Sequence, residues 1–197
     1  MADLAAIVLA AGASRRFGAS NKLLAPIGDR PLARRLVEEI LASGAADVTV
    51  VTGCGAPLIE SALAGLAVRY ARNDSWQTGM GSSIACGVRA LRADYAGAFV
   101  VPADMPFLSA SLLQQLASAF HRHGAQRVIY AATPAGEQRN PVLWPRRHFA
   151  DLAELSGHGG AKELVRNLGT EAIAVPVDAA LLADIDTPQQ LKAAPPT

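Results

Sequence analysis

Several groups of residues in this chain have the types and spacing to handle phosphates. The first is Leu9-Ala10-Ala11-Gly12-Ala13-Ser14-Arg15-Arg16-Phe17-Gly18, followed by Lys22. A glycine-rich loop leaving a strand can turn its backbone N–H groups toward a polyphosphate, and Arg16 and Lys22 add fixed positive charge. Its spacing excludes two familiar loops: no Gly-Lys-Ser/Thr follows as in a P-loop, and Gly-x-Gly-x-x-Gly is absent. The plain alternative is a strand-to-helix connection with solvated arginines. The second group is Pro102-Ala103-Asp104-Met105-Pro106. An isolated Asp at a strand end is ordinarily a turn former or a helix cap, but Ser109 is better placed to cap, which leaves Asp104 free. A third group, Ser156-Gly157-His158-Gly159-Gly160-Ala161-Lys162, precedes a helix predicted over residues 161–168. A helix start with His158 and Lys162 beside it is a site for an anion, against the alternative of a solvated connection.

The elements that must position these groups alternate along the chain. A strand is expected over residues 5–11, then a helix on Leu32, Leu36, Val37, Ile40 and Leu41, with Pro31 near its start and Gly44 past its end. Residues 48–52 form a β-branched strand, Pro57 opens a short helix closing near Gly65, and residues 68–70 read as a strand. Ile84, Val88 and Leu91 mark a helix for which Ser82 or Ser83 is the expected cap. A strand over 99–101 runs into Asp104, and Ser109 caps a helix bearing Leu112, Leu113, Leu116 and Phe120. Strands follow at 128–132, 142–144 and 173–177, and Thr187-Pro188-Gln189-Gln190 has the form of a capping box. Strand–helix alternation predicts an α/β fold with a doubly wound, mostly parallel sheet. Ligands in such sheets bind beyond the carboxyl ends of the strands at a switch in strand order, which directs attention to the loops after Ala11, Thr52, Tyr70, Val101 and Val177. One domain is expected over residues 1–192, with 193–197 as a loose tail.

Composition bounds the partners. The chain has 197 residues, 51% hydrophobic and 18% charged, so it can bury a sizeable core. Its 18 Lys and Arg against 17 Asp and Glu leave a formal charge of +1, with no electrostatic footprint for nucleic acid or an anionic membrane. The apolar run at residues 4–13 follows Asp3 with no basic residue before it, unlike a signal peptide, and is too short to span a bilayer. A cytoplasmic enzyme is the expectation. Cys54 and Cys86 lack a Cys-x-x-Cys partner or a histidine cluster and read as buried free thiols. His121 and His123, just before Gly124, suit a helix C-terminus better than a metal.

With these motifs in view, the chain resembles the molybdenum cofactor nucleotidyltransferases over nearly its whole length, and their cytidylyltransferase branch most closely. Members carry Leu-Ala-Ala-Gly-x-Ser-x-Arg-Met/Phe-Gly and then a Lys, matched here from Leu9 to Gly18 and at Lys22. The guanylyltransferase branch typically has Leu-Ala-Gly-Gly, so Ala11 favours cytidine. The family's Asp-x-Pro, whose carboxylate holds Mg²⁺, falls on Asp104. Magnesium suits the position, since it takes hard oxygen ligands from one or two carboxylates and from substrate phosphates. Asp184-Ile185-Asp186-Thr187-Pro188 matches the family's Asp-Ile-Asp-Thr-Pro. Alternate residues at a strand end face one side, so both carboxylates could approach one metal, Asp186 being the preferred ligand; the alternative is that one caps the last helix. Asn73-Asp74-Ser75-Trp76-Gln77-Thr78-Gly79-Met80-Gly81-Ser82-Ser83 resembles the family's base-recognition loop, with Ser83 as a contact and Asp74 in place of the common proline. Arg139-Asn140-Pro141-Val142 and residues 155–162 resemble the acceptor segments, with His158 where Asp is usual and Lys162 where Arg is usual. Lysine lacks the planar fork for phosphate, so these departures bear on the acceptor.

The resemblance thus implies a Rossmann-like three-layer α/β/α fold of the nucleotide-diphospho-sugar transferase type. It implies Arg16, Lys22 and Asp104 in catalysis, and Leu9, Ala10, Ala11, Gly12, Arg16, Lys22, Ser83 and Asp104 around the nucleotide. Mg²⁺ would lie on Asp104 and Asp186, and the acceptor near Asn140, His158 and Lys162. No activated nucleophile stands out, which fits direct phosphoryl-type transfer by positioning and charge neutralisation. The expected substrates are CTP and a phosphorylated acceptor such as molybdopterin, with a molybdenum hydroxylase as a partner. A guanylyltransferase, a sugar- or polyol-phosphate nucleotidyltransferase and a non-catalytic cofactor carrier are the rival readings.

Overall fold

The computed structural model describes residues 1–14, 17, 21–92 and 94–192, with backbone alone at 188 and 192. Arg16, Gly18 and the tail expected over 193–197 lie outside the described residues. The strands are β1 (Leu4–Ala10), β2 (Pro26–Ile27), β3 (Arg30–Pro31), β4 (Asp47–Thr52), β5 (Arg69–Arg72), β6 (Gly97–Pro102), β7 (Val128–Ala132), β8 (Gln138–Pro145) and β9 (Ala172–Pro176). The helices are α1 (Leu32–Ala42), α2 (Ala56–Ala62), α3 (Met80–Arg89), α4 (Ala110–Arg122), α5 (Phe149–Ala153), α6 (Lys162–Asn167) and α7 (Pro188–Lys192).

Among the described residues, seven strands form one sheet in the order β5-β4-β1-β6-β8-β7-β9. Strands β5, β4, β1 and β6 run parallel, β8 runs antiparallel to both β6 and β7, and β9 returns parallel to β7. β1 is apolar on both faces because both are covered, as buried parallel strands require. Leu4, Ala6, Val8 and Ala10 enter the core shared with α1, α2 and α4, while Ala5 and Ile7 enter the core shared with α3, α5 and α6. The result is a three-layer α/β/α arrangement. Consecutive connections leave β1 toward β4 on one side and β6 on the other, so the switch in strand order lies between β1 and β6.

Several local expectations are corrected. The hairpin of β2 and β3 had no counterpart in the hydrophobic pattern; Gly28, at φ 64°, makes its turn. β8 is longer than residues 142–144, because its first half pairs with β7 across a register shift at Tyr130 and Ala131. Neither Ser82 nor Ser83 caps α3: both lie inside it, and Gly79 occupies the cap position. Cys54 and Cys86 are free thiols as expected, but half-buried. Ser109 does cap α4, accepting from the Leu112 N–H at 3.3 Å. Among the described residues, no helix is long and apolar enough to cross a membrane.

Candidate functional site

The loop after β1 ends in a short 3₁₀ turn, Lys22–Leu24, and this turn aims Lys22. Asn21 is its N-cap: the side-chain oxygen accepts from the Leu23 N–H at 3.0 Å and from the Ser14 hydroxyl at 3.0 Å. Leu23 is buried and pins the turn to the core. The Lys22 ammonium is thereby carried across the switch point, where it donates to Asp104 Oδ2 at 2.6 Å and Asp186 Oδ1 at 2.8 Å. The lysine side chain is 14% exposed and each aspartate 20%. Burial pushes the Lys22 ammonium toward losing its proton, but the charges and hydrogen bonds of Asp104 and Asp186 outweigh it, so its pKa stands above the ordinary lysine value.

Asp104 lies two residues beyond β6, after Ala103 has closed the strand by donating to the Leu9 carbonyl at 3.1 Å. The carboxylates of Asp104, Asp184 and Asp186 come together, with one oxygen from each within 4.8 Å of the others. The convergence of Asp184 and Asp186 does not come from strand pleating, because residues 183–187 are not a strand. It comes from the residue between them. Ile185 is buried at 2% exposure and donates its N–H to the Asp104 carbonyl at 3.0 Å. Neither aspartate caps α7. Thr187 does, accepting from the Gln190 N–H at 3.3 Å, while Gln190 Oε1 accepts from the N–H groups of Asp186 at 2.8 Å and Thr187 at 2.9 Å. Three converging carboxylates, two of them bonded to the Lys22 ammonium, are a hard-oxygen donor set of the kind that fits a magnesium-type ion.

Two clefts meet at this knot. The first, about 450 Å³, is lined by Leu9, Ala11, Gly12, Lys22, Ser83 and Asp186, with Trp76 and Gln77 at its side. Ala10 is not among its walls; its methyl group belongs to the core under the sheet. The second cleft, about 320 Å³, is lined by Gln138, Arg139, Asn140, Trp144, Lys162 and Asp184. Leu9, Met80, Pro102, Asp104 and His158 border both. The expected site residues that lie within the description therefore gather at one place, except for the Ala10 side chain, and the carboxylates stand between the clefts.

The wall between the clefts is built by close backbone packing. The Gly81 N–H donates to the Gly157 carbonyl at 2.9 Å, and a Cβ on Gly81 would lie 2.5 Å from the Ser156 carbonyl oxygen. Gly79, at φ 124°, equally leaves no room for a side chain. Asn73 braces the other side, donating to the hydroxyls of Ser82 at 2.9 Å and Ser83 at 3.1 Å. Trp76, Gln77, Met80, Gln138 and Trp144 escaped the choice of site residues. The first three lie in a motif already marked as a recognition loop. Nothing local signals the last two, which reach the cleft only because β8 inserts beside β6.

A parallel-dominated sheet with a glycine-bearing loop after β1 and a carboxylate after β6, at the strand switch, is the nucleotide-diphospho-sugar transferase-like fold. Residues 6–173 match the family model of the MobA-like NTP transferase domain, and the chain belongs to that family. It is 34% identical over 128 residues to the bifunctional protein GlmU of Sorangium cellulosum, a match covering 61% of this chain and 27% of that protein. It is 33% identical over 115 residues to a probable molybdenum cofactor guanylyltransferase of Haloferax mediterranei, covering 57% of this chain and 52% of that one. The chain thus spans about a quarter of the first relative and about half of the second. The solved structure of Rv0371c from Mycobacterium tuberculosis in complex with manganese shares the fold, with a TM-score of 0.82 at 19% identity over 98% of this chain and 97% of that one.

Proposed function

We propose that residues 1–192 act as a single magnesium-dependent nucleotidyltransferase domain that moves CMP from CTP to a phosphorylated acceptor, with molybdopterin carrying molybdenum as that acceptor, and releases pyrophosphate. The observation that carries this reading is the knot of Lys22, Asp104 and Asp186 between two clefts. A transfer between two bound phosphates needs one place where both substrates meet concentrated charge control. The first cleft takes the nucleotide: Leu9, Ala11 and Gly12 line it, with Ala10 between them in the chain, and Ser83 lies against the base. Arg16 belongs to the same proposal by its place in the loop. The second cleft takes the acceptor, with Asn140, His158 and Lys162 at its phosphate.

An acceptor phosphate oxygen attacks the α-phosphorus in line, forming the new O–P bond as the bond to the β-phosphate oxygen breaks and pyrophosphate leaves. Lys22 moves onto phosphate oxygens and neutralises charge as it builds. Asp104 and Asp186 hold the divalent ion, which when bound supplies Lewis-acid polarisation of phosphate oxygens. Rv0371c, which shares this fold, was solved in complex with manganese, and that accords with the use of a divalent ion. Near-neutral net charge favours small-molecule substrates over nucleic acid or membrane. With that composition, a cytoplasmic enzyme delivering its product to a molybdenum hydroxylase is the setting we infer.

The Haloferax relative favours a second reading, with GTP as donor; Ala11 favours CTP. The deciding experiment incubates the purified full chain with Mg²⁺, molybdenum-loaded molybdopterin and CTP in competition with GTP. Pyrophosphate release is followed, and the dinucleotide product identified by mass spectrometry. A CMP-bearing product is expected; a GMP-bearing product selects the second reading, and no product with either nucleotide refutes both.

A further inference from the structure

We propose that Lys22 is the resident cation of the carboxylate centre, so that it holds down the affinity for a divalent ion until a nucleoside triphosphate draws it away. The inference rests on the reading of Asp104 and Asp186 as metal ligands. The Lys22 ammonium lies 2.6 Å from Asp104 Oδ2 and 2.8 Å from Asp186 Oδ1. Asp104 and Asp186, with Asp184, each bring one carboxylate oxygen to a group whose atoms lie within 4.8 Å of one another. A magnesium-type ion needs its carboxylate oxygens at about 2.1 Å. An ion on the same two carboxylates would stand beside the ammonium, and the two cations would repel in one small, mostly buried pocket.

Lys22 must therefore leave for both carboxylates to face the ion. It has one place prepared for it: the same side chain lines the first cleft, where Gly12 and Ser14 also stand. A triphosphate in that cleft offers oxygens that replace both carboxylates as partners for the ammonium. Without a triphosphate, Lys22 bonds both Asp104 and Asp186, two carboxylates that repel each other and Asp184. Nucleotide and divalent ion thus favour each other's binding through one moving lysine, and the coupling is reciprocal by linkage. Lys22 would serve two stages of one cycle, first as guardian of the ion site and then as a phosphate ligand.

The test measures Mn²⁺ binding to the full chain without nucleotide, from the free-ion electron paramagnetic resonance signal, for wild type, Lys22→Met and Asp104→Asn. Thermal melting is followed in parallel, with chelator and with Mn²⁺. Lys22→Met is expected to bind Mn²⁺ about 5–150-fold more tightly than wild type, the range of ordinary coupling between sites. It should also melt lower than wild type in chelator and recover more on adding Mn²⁺, because the variant lacks the ammonium that bonds Asp104 and Asp186. Should Lys22→Met not fold, Lys22→Gln, which also lacks the charge, carries the same expectation. Equal or weaker Mn²⁺ binding by the charge-removed variant, with Asp104→Asn still abolishing binding, overturns the lysine's role and leaves the metal reading standing. Mn²⁺ binding that Asp104→Asn does not weaken, or no Mn²⁺ binding by any form, overturns both.

Discussion

Gly81→Ala is a small perturbation whose sign is reversed by one contact. Gly81 lies in the first turn of α3, where alanine is ordinarily preferred by about 1 kcal/mol. Here a Cβ would stand 2.5 Å from the Ser156 carbonyl oxygen, 2.7 Å from its carbon and 2.9 Å from its nitrogen. All three are backbone atoms, so no rotamer change relieves the clash, and residues 156–157 must retreat by about 1 Å to reach ordinary contact. That retreat strains the 2.9 Å hydrogen bond from the Gly81 N–H to the Gly157 carbonyl, worth about 1 kcal/mol. Overpacking adds about 1–3 kcal/mol. Set against the helix gain, the net loss is about 2 kcal/mol, or a fall in Tm of about 4–8 °C for a chain of this size. Because His158 follows the displaced segment and borders both clefts, binding of both substrates should weaken as well. The assay is thermal and urea unfolding by circular dichroism, beside Gly159→Ala in the same loop, whose added Cβ meets no atom within 4 Å. A Gly81→Ala protein as stable as wild type, or more stable, would refute the tight docking of this loop on α3.

Asp104→Asn keeps the shape of the side chain but removes a charge facing Lys22 at 2.6 Å; pyrophosphate release should fall at least roughly a hundredfold, and near-normal release would make Asp104 a turn residue only. Ala11→Gly should loosen the preference for CTP over GTP, since Ala11 lines the first cleft; an unchanged preference in a competition assay would remove it from base selection. Lys162 borders the second cleft alone, so Lys162→Ala should raise the acceptor KM several-fold and leave the CTP KM nearly unchanged. His158 borders both, so His158→Ala should raise both constants, and a rise confined to the acceptor would place the imidazole in the second cleft only.

Elements whose signals are local could be read from the residues alone. β1 is apolar on both faces and ends in a glycine loop, Ser109 and Thr187 sit where capping chemistry puts them, and strand–helix alternation implies a parallel sheet with its site at the carboxyl ends. These follow from steric and hydrogen-bonding preferences that act over a few residues, so a local pattern carries them. The remaining features are set by partners far apart in the chain and emerge only on folding. Lys22 meets Asp104 and Asp186 across separations of 82 and 164 residues. Asp184 and Asp186 converge because Ile185 is buried and bonded to Asp104, not because they alternate on a strand. β8 turns antiparallel and brings Gln138 and Trp144 to the second cleft, and Gly79 and Gly81 must be glycines because the backbone of residues 156–158 lies against them. Each of these depends on which surfaces bury one another, and burial is a property of the assembled layers rather than of any short stretch of chain.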